Sequence, residues 1–130
     1  MEPSMEIDEL ARAVIGAAIE VHRELGPGYL ENVYQQALAT ELELNWIEFE
    51  SQKSFALSYK HKLVGEGRMD FLVGRCLVVE IMAVEALLPI HKAQVMSYLR
   101  ATRQKLGLLI NFNEKMLKSG IQRIIWSEAG

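Results

Sequence analysis

The run CLVVEIMAV, residues 76–84, is apolar at every position except Glu80. An extended chain turns alternate side chains to opposite faces, so a strand apolar on both faces belongs in the middle of a sheet with cover on each side. The rest of the chain must therefore supply helices to pack on that sheet. The same run poses a chemical question, because a carboxylate in a covered strand is costly unless it is paired or binds a metal.

The cover is legible on both sides of this run. Ser4 can cap a first helix whose early acids, Glu6, Asp8 and Glu9, suit its positive end. Ile7, Leu10, Val14, Ala18, Val21 and Leu25 mark its apolar stripe, and Gly26-Pro27-Gly28 stops it. A second helix is expected over residues 29–44, with Asn45 as a left-handed cap. Residues 46–53 and 54–60 read as two extended segments. His61-Lys62 is expected to turn the chain into 63–73, and Gly74-Arg75 into 76–84. Pro89 opens a third helix to about residue 104. Residues 106–112 form another buried strand, 114–119 a short helix and 121–126 a last strand. The 130 residues suit one domain. The order predicts an α/β or α+β fold, a mixed central sheet flanked by helices.

Half of the residues are hydrophobic and about a quarter charged, as in a soluble globular chain. The lone cysteine, Cys76, has no partner for an internal disulfide. No apolar run reaches the roughly 20 residues of a membrane span, and the acidic N-terminus is unlike a signal peptide. A cytoplasmic protein without a membrane partner is the expectation. Charge is unevenly spread. Residues 1–50 hold eleven acids and two bases, and residues 51–130 hold six acids and twelve bases. That split is either an ordinary solvated surface or a two-sided molecule whose basic side meets a polyanion.

Asp70 and Glu80 fall on consecutive strands joined by a tight turn, so they can be neighbours across the ladder. Two close carboxylates repel each other, and a hard divalent cation such as Mg²⁺ removes that cost. Such an ion can activate water and stabilise charge on a phosphoryl group. Alternatively, the acids pair with Arg68, Arg75 or a buried backbone donor. Glu31 falls in the first turn of the second helix, with Tyr34 one turn later. His91, Gln94 and Tyr98 share a face of the third. Singly, Tyr34 and Tyr98 read as hydrogen-bonded core aromatics, His91 as a cap or surface residue, and His22 as a satisfied structural histidine.

Taken together, Gly28-Tyr-Leu-Glu31-Asn-Val-Tyr34, Arg68-Met-Asp70, Val79-Glu80-Ile-Met82-Ala-Val-Glu85, His91-Lys-Ala-Gln94-Val-Met-Ser-Tyr98-Leu-Arg100 and Lys105-Leu-Gly-Leu-Leu-Ile-Asn-Phe112 resemble the GxxExxY family. This is a bacterial and archaeal group within the PD-(D/E)XK nucleases, and the resemblance spans about residues 5–126. It implies an αβββαβ restriction-endonuclease-like core and a nuclease dependent on Mg²⁺ or Mn²⁺. Asp70 and Glu80 then correspond to the catalytic, metal-binding acids, and Glu31 to a third ligand. Gln94 and Tyr98 match the QxxxY motif of RecB-like members, near the substrate strand, and Tyr34 joins them as a substrate contact. DNA or RNA is the implied partner, with a homodimer or a protein partner as further possibilities.

The motif lysine is missing. Its place is taken by Met82, which carries no charge and donates no hydrogen bond. The site is then weakened or inactive unless another cation serves, and Lys92, ahead of Lys53, is the candidate for that catalytic role. The alternatives are an inactive nuclease-fold module that binds nucleic acid or a protein, and an unrelated interaction protein whose buried acids are structural.

Overall fold

The computed structural model describes residues 5–128. Helix α1 (Met5–Leu25) has acids in its first turn and His22 and Arg23 in its last, both favourable to the helix dipole. The expected cap, Ser4, lies outside the described residues. Val14, Ala18 and Val21 of the apolar stripe are buried, and Ile7, Leu10 and Leu25 pack beside them. Helix α2 (Glu31–Leu44) begins two residues later than expected. At its end Asn45 is not left-handed, with φ of −97°. Asn45 instead donates from its backbone and side chain to the carbonyl of Glu41. The left-handed turn falls one residue on, at the exposed Trp46, φ 57°.

The two extended segments expected over 46–60 are one strand, β1 (Phe49–Tyr59). Its hairpin turn is Lys60-His61, both residues at positive φ. That pair is the usual form of a two-residue hairpin loop, and Lys62 already opens β2 (Lys62–Val73). A second turn, with Gly74 and Arg75 also at positive φ, leads to β3 (Leu77–Met82). Helix α3 (Pro89–Thr102) crosses over to β4 (Leu106–Asn111), and a 3₁₀ turn (Leu117–Gly120) precedes β5 (Ile121–Ile125).

The sheet order is β1-β2-β3-β4-β5. The β3–β4 pair is parallel and every other pair antiparallel. The sheet is mixed and the fold α+β, in keeping with a restriction-endonuclease-like core. Strand β3 is the central strand that its composition demands. Leu77, Val79 and Ile81 face the α1 and α2 layer, together with Tyr34, Leu38, Leu42 and Phe112. Val78 and Met82 face the opposite side, where Val95 and Leu99 of α3 close the second core. Alternation places Glu80 on the α3 face.

Candidate active site

The regular β2–β3 ladder stops at Phe71 opposite Val79. The next residues on each strand are Asp70 and Glu80, and there side chains take over from backbone. The Asp70 N–H donates to Glu80 Oε2 at 2.6 Å, and the Ile81 N–H donates to Asp70 Oδ2 at 2.8 Å. Each acid thus caps a backbone donor beside the other. The alternation of β2 also breaks here, since Met69 joins the α3-side core and Phe71 the α1/α2-side core. On β1, opposite Asp70, Gln52 sits at φ 53°. A non-glycine residue rarely adopts this backbone state, which costs about 1 kcal/mol or more.

The electrostatics are those of crowded like charges. Burial pushes Glu80 up to about 8, and the Asp70 and Glu31 carboxylates push the same way against the pull of the Asp70 N–H. Burial also raises Asp70, while the Ile81 N–H, a hydrogen bond from Gln52 and the charge of Arg68 lower it. Glu31, at the start of α2, is raised by burial and by Asp70. From α3, the Tyr98 hydroxyl is raised by burial and by Glu80, against a hydrogen bond from Gln94. That bond, Gln94 Nε2 to the Tyr98 oxygen, is 3.1 Å long. Four elements therefore converge on the place where β2 and β3 part.

A family model described as the PD-(D/E)XK nuclease superfamily matches residues 8–124, nearly the whole chain. The chain belongs to the PD-(D/E)XK nuclease superfamily. The crystal structure of SSO0001 shares its fold, with a TM-score of 0.57 at 21% identity over 75% of this chain. The match covers 52% of SSO0001, so the present chain spans about half of that protein's length. A comparison with curated proteins finds no match.

PD-(D/E)XK nucleases generally use divalent metals. The donor set suits such an ion. Asp70 and Glu80 offer hard anionic oxygens at adjacent positions, and neither is engaged in an ion pair. Among the described residues, ion pairs involve Glu20, Glu48, Glu50, Asp8 and Glu128 instead. No three His, Cys, Asp or Glu side chains among the described residues are grouped to hold one ion. Glu31 therefore stands as a neighbouring charge, while Asp70 and Glu80 form the bonded pair.

For a PD-(D/E)XK chain the most visible departure is Met82. It lies on the face of Glu80 and packs with the α3-side core, as strand alternation requires. Lys92 is exposed on the first turn of α3, and Lys53 pairs with Glu50. Tyr34 is corrected from substrate contact to core. It is fully buried and stacked on Phe112 at 4.7 Å. Its hydroxyl donates to the Gly26 carbonyl at 2.6 Å and accepts the Tyr29 N–H, clamping the turn before α2. The His91 Nδ1 accepts the Leu88 N–H and caps α3. The His22 Nε2 donates to the Glu114 carbonyl at 2.7 Å and is a satisfied structural histidine.

Three supporting residues escaped the sequence reading. Gln35, buried on α2, donates to the Asp70 carbonyl at 3.3 Å. Gln52 holds the Asp70 carboxylate. Asn111, fully buried at the end of β4, accepts the Val84 N–H and donates to the Val84 carbonyl, fixing the loop that follows Met82. Only Asn111 left a signal, as a polar residue closing an otherwise apolar strand.

Proposed function

We propose that the chain is a GxxExxY-type domain that acts on nucleic acid at a divalent-metal site held by Asp70 and Glu80, with Glu31 drawn in as a third ligand. The observation that carries this is the pair of backbone hydrogen bonds that holds Asp70 and Glu80 side by side. Glu80 is raised by burial and by the Asp70 and Glu31 charges, Glu31 by burial and by Asp70, and Asp70 by burial against the charge of Arg68. Such an arrangement is unfavourable by itself and becomes favourable when a cation is bound. A bound divalent ion would supply positive charge against a phosphoryl oxygen. The chain's own residues hold and orient. Gln52 and the Ile81 N–H fix the Asp70 carboxylate, the Asp70 N–H fixes Glu80, and Gln94 fixes the Tyr98 hydroxyl beside them.

Met82 favours a second reading, a domain that binds nucleic acid with little or no cleavage. The loss of one oriented polar group costs about 10²–10³ in rate. Lys92 is the proposed substitute cation. Thermal unfolding with Mn²⁺ or Mg²⁺ tests the metal site. The wild type should gain stability by mass action, and Asp70→Asn should lose most of that gain. An equal response in both proteins would refute the site. Cleavage of DNA and RNA with Mn²⁺ then separates the two readings.

A further inference from the structure

We propose that the β1–β2 hairpin is an arm that enters the major groove of double-stranded DNA. The proposal rests on the reading of the chain as a nucleic-acid domain and adds the form of the substrate and the element that grips it. Strand β2 pairs with β3 only at Phe71, Leu72 and Val73, whereas its pairing with β1 runs on to Tyr59 opposite Lys62. Most of the hairpin is thus a two-stranded ribbon beyond the sheet. Because β2 is antiparallel to β3, the ribbon leaves the sheet at the end of β3 that bears Glu80 and Met82.

Its base is fixed. The Phe55 ring covers Gly67 so closely that a Cβ there would lie 2.3 Å from the ring, and it meets Tyr98 edge-on at 5.0 Å. Beyond that anchor, Tyr59, Leu63 and Val64 are each more than 60% exposed. The Lys60 ammonium lies over the Tyr59 ring, and Lys62 is exposed beside it. No acid occurs from Ser54 to Gly65. Glu66 is the acid on the projecting part of β2, and Arg68 lies between it and Asp70.

An exposed strip that is both apolar and cationic suits a duplex groove, which has phosphates on its rims and base edges and methyl groups on its floor. The size also fits. A major groove about 12 Å wide admits a two-stranded ribbon. At about 3.3 Å per residue, Lys62 reaches about 26 Å past Asp70, within one duplex turn of about 34 Å. A single strand has no groove to receive it.

The test is fluorescence anisotropy in chelator with a labelled DNA duplex of about two turns and with one of its strands alone. The wild type should prefer the duplex. The double variant Lys60→Ala, Lys62→Ala should bind it more weakly, with a log–log salt slope smaller by about 1.8, as two lost phosphate contacts require. Leu63→Ser should weaken binding with little change in slope. Equal affinity and slope in wild type and lysine variant, or tighter binding of the single strand, would overturn the arm while leaving the domain's nucleic-acid reading intact. No binding of either form overturns both. A self-association that Leu63→Ser abolishes, without duplex binding, would assign the strip to a second copy of the chain. The Mn²⁺ thermal shift, which depends on Asp70, should be the same in all hairpin variants.

Discussion

The proposed chemistry of this chain turns on two residues, Glu80 and Met82, neighbours on one face of β3. A carboxyl raised in the folded state favours folding below its unfolded pKa and loses that contribution as pH rises through the folded value. With Glu80 at about 8, the metal-free protein should lose stability between about pH 5 and pH 8, by an amount on the order of 4 kcal/mol at most. Glu80→Gln keeps an acceptor for the Asp70 N–H and should flatten this slope. Thermal unfolding in chelator across that range measures it. Met82→Lys restores the motif cation. Glu80 and Asp70 offer it opposite charge, and its stem can cover the apolar surface that Met82 now covers. Metal-dependent cleavage should rise by as much as about 10², measured beside stability. A folded variant that binds Mn²⁺ and cleaves neither DNA nor RNA would mean that the site lacks more than the lysine.

At the scale of elements, the strand end that carries the site is held by Asn111. Asn111→Ala removes the acceptor of the Val84 N–H and one of the two donors to the Val84 carbonyl, leaving Asn113 as the other, and should destabilise the fold by about 1–3 kcal/mol. Denaturant unfolding gives that value, and amide exchange should quicken first at Val84. This element shows how far the sequence could be read. The covered strand, the hairpin order and the closeness of Asp70 to Glu80 all follow from local pattern, because burial imposes period two and glycine marks the turn at Gly74. Gln35 and Gln52 were not legible. An amide on a helix or strand looks solvated until tertiary packing brings it against one backbone group. Tyr34 carried two readings, a core aromatic taken singly and a substrate contact by its place in the motif, and its burial against Phe112 decides for the first.

Across the whole molecule, one sheet serves two cores, with α1 and α2 on one face and α3 on the other. Neither core exists without β3, so both should melt together. Leu38→Ala in the first core and Leu99→Ala in the second should each cost about 2–5 kcal/mol and shift a single shared transition. Far-ultraviolet dichroism and the fluorescence of Trp126, which packs on the α3 side, should report coincident curves. Non-coincidence would mean that one layer is lost ahead of the other. The helical pair α1 and α2 is acid-rich, with eight acids against two arginines. Among the described residues no helix is long and apolar enough to cross a membrane.

The exchange of bonds between Asp70 and Glu80 has a spectroscopic consequence. Two backbone amide protons, those of Asp70 and Ile81, point at carboxylates whose charge depends on what the site holds. A proton donated to an ionised carboxylate is in a stronger bond than one donated to a neutral acid, and its resonance moves downfield accordingly. In a two-dimensional nitrogen–proton spectrum these two peaks form a built-in voltmeter. Their drift with pH traces the coupled ionisation of the pair, and their displacement on adding a diamagnetic ion such as Mg²⁺ would read occupancy of the proposed site without any substrate or cleavage.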